Sequence, residues 1–427
     1  MRFFLLLFTI GHILMAATIE HINVEGREIP VIFEQDTRLP MVTMQFTFTN
    51  SGNIADGKSA GLAKLSARLL NEGTKTLGSS AFAESLESRA ISISAVTGTE
   101  TFVLESASLK EEFDTTLLKL SELLSDPNYT PSTMKKIKTM TLGRLSQKEN
   151  DFDYVASNEL KAILFEGTPL AQPSAGTPQS ISSITLRDVK GFVAKHLTRS
   201  NLIVVIGGDV TLDEVKDKIA KVIALLPEGD VAPVAHYDVR KSPKTNVLTR
   251  TTQQAYIYFG SPYHMAVDDK EYYKARVATF ILGTGGFGSR LMEEIRVKRG
   301  LAYSAYARVH VSKSSSYLSG YLQTKTESMD EAKQTVEKVI AKFVKKGVTK
   351  EELEQTKRFL LGSEPLRVET MSQRLNRTFL EYYKGFKLGH SQKELQKIEK
   401  LKLKDLNEFI KKHSEINDLS FAIVTDK

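Results

Sequence analysis

An α+β fold of two homologous domains, each a mixed β-sheet with helices packed on it, is predicted by three observations. Strand-like and helical segments follow the same order in both halves of the chain. A helix-then-strand pattern near residue 190 recurs near residue 410. A polar, proline-bearing stretch without periodicity separates the copies. The length of 427 residues suits two domains of about 200 residues each.

Composition removes several classes. Hydrophobic residues make up 41% and charged residues 26%, ordinary globular usage that excludes disordered and fibrous chains. The net charge of +7 is spread through the chain, so a nucleic-acid partner is not expected. There is no cysteine, which excludes disulfides, cysteine-ligated metals and thiol nucleophiles.

The elements follow in order. Residues 1–17 pair Arg2 with a short apolar run (Phe3 to Ile10) and end in Ala16-Ala17, as an export signal does. No later stretch nears the ~20 apolar residues of a membrane span, so no integral membrane association is expected. In the first domain (18–227), Pro40 to Asn50 alternates as a half-buried strand, Ala60 to Leu70 is helical, and Thr101 to Ser108 is a strand. Leu109 to Leu124 and Ser132 to Lys148 are helices, and Asn201 to Gly207 closes the domain as a strand. Residues 228–245 read as a linker.

The second domain (246–427) repeats the series. Gln254 to Gly260 is a strand, Asp269 to Leu282 a helix, Ser316 to Thr324 a strand, and Glu327 to Lys346 a helix. The Lys-rich stretch Lys393 to Lys412 reads as one solvated helix, and Asp418 to Thr425 as the terminal strand. The duplication is explicit at the domain ends. Leu186 to His196 aligns with Leu403 to His413, sharing Leu, Asp, Phe, Lys and His. Further back, Lys138, Leu142 and Gly143 align with Lys357, Leu361 and Gly362.

The stretch from Gly283 to Ser304 carries the most specific pattern: a glycine-rich turn, one short helix and the start of a strand. Its glycines free the backbone for positive φ and close approach. Ser289 is placed to cap the helix and Gly300 to end it. Arg296 and Tyr303, seven residues apart, can share one surface. Taken without further context, Gly283 to Gly288 is an exposed connection, Arg296 pairs with Glu293 or Glu294, and Tyr303 packs in the core.

This stretch resembles the second domain of the insulinase/pitrilysin-type zinc metallopeptidases, which include the mitochondrial processing peptidases. The resemblance extends to Ala162–Gly176 and Asn201–Val210. It implies a clamshell of two homologous lobes around a peptide. It implies that Arg296 and Tyr303 contact the substrate opposite the metal, acting as catalytic helpers. It also implies that Gly283, Gly285, Gly286, Phe287 and Gly288 lie along the peptide.

The family's metal motif is His-x-x-Glu-His on a helix, with a further glutamate from a later helix. Here the matching place runs from Gly61 to Thr74, and Lys64 and Arg68 occupy the histidine positions and Ala67 the glutamate position. The later helix, Ser132 to Lys148, has no carboxylate. No metal is therefore expected in this chain. Lys64 and Arg68 are read either as a solvated face or as contacts to a partner or acidic peptide. The eight histidines (12, 21, 196, 236, 264, 310, 390 and 413) include no helical pair, and His196 and His413 read as partners of helix C-terminal dipoles. Neither a Gly-x-Ser-x-Gly elbow nor a phosphate loop is present.

The resemblance thus implies a non-metal subunit of an exported, periplasmic heterodimeric zinc peptidase. Zinc would sit in a homologous partner bearing His-x-x-Glu-His, and this chain would be inactive alone. The alternative is a catalytically inactive homodimer that binds peptides or acts as a scaffold.

Overall fold

The computed structural model describes residues 17–427; the first sixteen residues of the expected export signal lie outside the described residues. The first half runs β1 (Thr18–Val24), β2 (Arg27–Gln35), β3 (Met41–Thr49), α1 (Leu62–Leu70), α2 (Gly78–Glu87), β4 (Ser92–Thr97) and β5 (Thr101–Leu109). It continues through α3 (Phe113–Ser125), α4 (Pro131–Lys148), α5 (Phe152–Leu164), α6 (Pro178–Ser183), α7 (Leu186–His196), β6 (Leu202–Gly208) and α8 (Leu212–Ile223). Its sheet has the order β1-β2-β6-β3-β5-β4 and is mixed, with β2 and β6 parallel.

No regular element follows until the second half opens with β7 (Thr245–Thr249) and β8 (Gln254–Pro262). Then come α9 (Tyr272–Thr279), α10 (Arg290–Met292), β9 (Ala302–Val311), β10 (Ser316–Lys325), α11 (Met329–Lys346) and α12 (Lys350–Gly362). The chain ends with α13 (Met371–Tyr383), α14 (His390–Lys400), α15 (Leu403–Lys412) and β11 (Ser420–Thr425). The second sheet, β7-β11-β8-β10-β9, repeats the first from β2 onward, with β7 and β11 parallel. The α+β class and the duplicated mixed sheets are as the sequence predicts. One helix is corrected: Lys393–Lys412 is two helices, α14 and α15, broken where Leu401 takes an extended backbone and buries its side chain.

Each sheet packs helices of its own half on one face. The first core gathers Phe46, Phe48, Phe102 and Leu104 with Leu117, Leu120 and Ile219. The second gathers Ile257, Phe259, Leu318 and Leu322 with Val336, Ile340 and Phe409. Buried side chains of this size each contribute about 1.5–3 kcal/mol.

A crossing helix from the other half covers part of the opposite face. Leu160, Ile163 and Leu164 of α5 pack with Ala422 of β11, and a Cβ on Gly260 of β8 would come within 2.8 Å of Leu164. In return, Leu375 and Tyr383 of α13 pack with Ile32, Ile203 and Val205. Polar contacts reinforce the exchange. Arg374 Nε donates to buried Glu34 at 2.8 Å, and the Tyr383 hydroxyl donates to Glu100 at 2.6 Å. The two halves are therefore interlocked through their cores.

Candidate functional site

Helix α1 forms because its apolar residues recur on one face, burying Ala63, Leu65, Ala67, Leu69 and Leu70. Asp56 caps its start, accepting from the amides of Gly61 (2.8 Å) and Ala63 (2.7 Å). Burial outweighs those donors and pushes the Asp56 carboxyl up to about 7. At the other end, the Asn71 side chain clasps the edge strand. It donates to the Ala95 carbonyl at 3.0 Å and accepts from the Ala95 amide at 2.6 Å.

Lys64 and Arg68 stand one turn apart and half-buried on the remaining face of α1. Ala67, at the position of the glutamate, is buried. The Arg68 guanidinium donates to the Thr141 hydroxyl of α4 at 2.6 Å. Two further cations of α4, Arg144 and Lys148, act on Lys64, and no anion does. Burial first, then these like charges, lower the pKa of Lys64; burial and Arg144 lower that of Arg68. Lys148 lies over the Tyr154 ring, 4.3 Å from its centroid.

This cradle does not fit zinc. A zinc ligand presents a lone pair from imidazole, thiolate or carboxylate, and ammonium, guanidinium and methyl groups present none. Among the described residues there is no group of three or more His, Cys, Asp or Glu able to hold a metal. Several histidines serve packing instead: His310 stacks on Tyr317, His390 on Phe386 and His413 on Tyr263. His196 does end its helix, but burial lowers its pKa and its ring sits 3.1 Å from the Asn50 carbonyl. A neutral ring adds no charge to the helix dipole.

The glycine-rich stretch departs locally from the expected single helix. After α9 come a π-turn (Phe280–Thr284), a 3-10 turn (Gly286–Gly288), the short α10 and a second π-turn (Glu293–Val297). Such wide turns concentrate at functional sites. Ser289 caps α10 through the Met292 amide, and Gly300 leaves the turn at φ +62°. Gly283 is buried against β9, where a Cβ would meet the Ala307 backbone at 2.3 Å. Gly285 packs under Phe280, Gly286 takes φ +60°, and Gly288 faces open space. Gly288 and Phe287 border a cleft of about 590 Å³ that reaches α11.

This geometry gathers Phe287, Arg296 and Tyr303. The Arg296 guanidinium carbon lies 4.5 Å from the Phe287 ring centroid and 4.2 Å from that of Tyr303. Both rings are open to solvent, Phe287 being 64% and Tyr303 81% exposed. Arg296 has no carboxylate partner among the described residues. Its acidic neighbours are engaged elsewhere: Glu294 by Lys298 (2.8 Å) and Arg299 (2.6 Å), and Glu293 by Lys298 (3.9 Å). Those donors hold the Glu294 carboxyl down to about 2. The arrangement presents guanidinium N–H groups and a phenol at one surface, able to donate to a carbonyl or an oxyanion.

Sequence reasoning missed Arg144, Lys148 and Asn71. The signal for the first two was a second pair of cations, four residues apart on a helix that lacks carboxylates.

Comparison with known proteins follows the same lines. A family model described as Insulinase (Peptidase family M16) matches residues 31–178, and one described as Peptidase M16 inactive domain matches residues 183–360. The chain is 44% identical to the "Non-peptidase homolog YmxG" of Helicobacter pylori over 97% of this chain and 96% of that one. Among solved structures, a peptidase M16 inactive domain from Pseudomonas fluorescens superposes with a TM-score of 0.88. It is 24% identical and aligns over 96% of this chain and 98% of its own. A protease from Helicobacter pylori superposes with a TM-score of 0.82 at 17% identity, over 96% of this chain and all (100%) of that one.

Proposed function

Because the chain belongs to the insulinase family, peptidase family M16, we propose that it is an inactive member that works as the non-metal subunit of a two-chain zinc peptidase. It binds the peptide substrate and presents Arg296 and Tyr303 to the active site of a homologous partner bearing His-x-x-Glu-His. The observation that carries this reading is a retained, unpaired Arg296 between two exposed rings, in a chain whose metal positions hold Lys64, Ala67 and Arg68. The "non-peptidase" name of the Helicobacter relative supports the inactive half of the proposal.

The chemistry is direct. Arg296 donates to a substrate carbonyl, a charge-assisted bond worth about 1.5–3 kcal/mol. Tyr303 donates to the oxygen on which negative charge develops, where loss of one donor costs about 10²–10³ in rate. Zinc held by the partner's His-x-x-Glu-His would supply the activation of water, and this chain's Arg296 and Tyr303 would position the peptide. The export signal read at residues 1–17 sends the assembly out of the cytoplasm, to a bacterial periplasm.

Peptide hydrolysis by the chain alone, and after addition of a metal-bearing homologue, tests this. The pair is active and the lone chain is not. Replacing Arg296 with Ala and Tyr303 with Phe lowers turnover of the pair while assembly persists; an unchanged rate would leave only the role of an inactive homodimeric scaffold.

A further inference from the structure

The place of the family's metal ligands holds a concentration of positive charge. Lys64 and Arg68 on α1 face Arg144 and Lys148 on α4. None of the four forms an ion pair with a carboxylate among the described residues. What contacts they make are neutral: Arg68 with the Thr141 hydroxyl and Lys148 with the Tyr154 ring.

Elsewhere α4 does find an anion. Lys136 of α4 pairs with Glu72 at 2.7 Å, just beyond the end of α1. Isolated cations on a surface are ordinary. Four that converge across a helix seam, two of them half-buried on α1, repel one another and cost stability that pairing would recover.

The seam also abuts the other half. Tyr154 follows Asp153, whose carboxylate accepts from the Tyr258 hydroxyl of the second sheet at 3.2 Å. Tyr258 in turn packs tilted against Tyr321, their ring centroids 4.8 Å apart and their planes at 46°. Through Lys148 and Tyr154 the seam therefore adjoins an aromatic face of the second sheet, a surface suited to an extended peptide.

We propose that the erased metal cradle is an anion site, in which Lys64, Arg68, Arg144 and Lys148 receive carboxylates of an acidic peptide. Inversion of charge converts a cation cradle into a receptor for acidic substrate segments. This rests on the peptide-binding reading above and adds a substrate class to it. Arg68 offers its remaining N–H groups to a carboxylate, and Lys64 supplies a close positive charge. Two sources share this chemistry: aspartate or glutamate side chains, and a peptide's terminal carboxylate.

Fluorescence anisotropy with the full chain separates the outcomes. The probes are fluorescein-labelled dodecapeptides with four Glu or the same four as Gln, each as free acid and as C-terminal amide. At low salt the Glu peptide binds about tenfold or more tightly than the Gln peptide, and high salt erases the difference. Lys64→Gln with Arg144→Gln removes the preference but leaves Gln-peptide binding unchanged. Arg144→Gln alone, at an exposed position, weakens it several-fold and serves if the double variant does not fold. A difference that tracks only the terminal amide assigns the site to the terminal carboxylate. Equal affinities for all four peptides overturn the anion site and leave the peptide reading intact. A preference that survives in the variants overturns it too, by placing the anion elsewhere. Binding of none of the peptides overturns both readings.

Discussion

Arg296 stacks on Tyr303 with its guanidinium carbon 4.2 Å from the ring centroid, and no carboxylate among the described residues competes for its N–H groups. The stack holds a long, flexible side chain in one orientation without consuming its donors. Lysine keeps the charge but loses the planar face and the fork of N–H groups. Arg296→Lys is therefore expected to lower kcat of the assembled pair by about tenfold or more. Phe287→Ala, which removes the other ring, is expected to raise KM more than it lowers kcat. Steady-state kinetics of the two variants checks this division.

The crossing helices make a second prediction. Glu34 is buried, its second oxygen has no partner, and Arg374 from the other half holds the first. Removing one member of such a pair strands a charge, at a cost of about 3–5 kcal/mol. Urea unfolding of Arg374→Ala is expected to show that loss, and Glu34→Gln with Arg374→Met to recover much of it. Both halves should melt in one transition in each case.

A third concerns acid. Burial, with Arg308 and Lys161 nearby, pushes His310 down to about 4. The unfolded chain takes up this proton near pH 6.5 and the folded chain only near pH 4. Between those values the unfolded state binds more protons, so stability is full above pH 6.5 and falls as the pH drops toward 4. The loss attributable to this residue is about 2–3 kcal/mol. Chemical denaturation across pH 4 to 7 is expected to show a flatter profile for His310→Gln than for the native chain.

The fourth concerns the cradle. Restoring Lys64→His, Ala67→Glu and Arg68→His recreates the family triplet but leaves Arg144 and Lys148 in place and α4 without a carboxylate. Zinc affinity of this variant is expected to stay weak. Adding a glutamate at residue 144 supplies an oxygen ligand and removes a repelling charge, so titration calorimetry is expected to show affinity rising by about tenfold or more.

Much of this was legible in the sequence, and what was not has physical causes. The duplicated sheets were visible because strands alternate with period two and the closing helix repeats from Leu186 and from Leu403. The seven-residue separation of Arg296 and Tyr303 placed them on one surface, as found. Phe287 was read as a peptide contact, but its stacking on Arg296 depends on a loop folding back, which no pattern encodes. The π-turns at Phe280 and Glu293 have no compositional mark. The exchange of α5 and α13 was hidden because an amphipathic helix declares that it packs, not which sheet it packs on. The Asn71 clasp on the Ala95 backbone joins residues 24 apart in the chain, and no local pattern marks it.

The most direct measurement is the zinc content of the purified chain after equilibration with excess zinc and desalting. The account predicts no zinc above the background of a protein without a site. One zinc per chain, lost when residues 64 to 68 or α4 are altered, would contradict it.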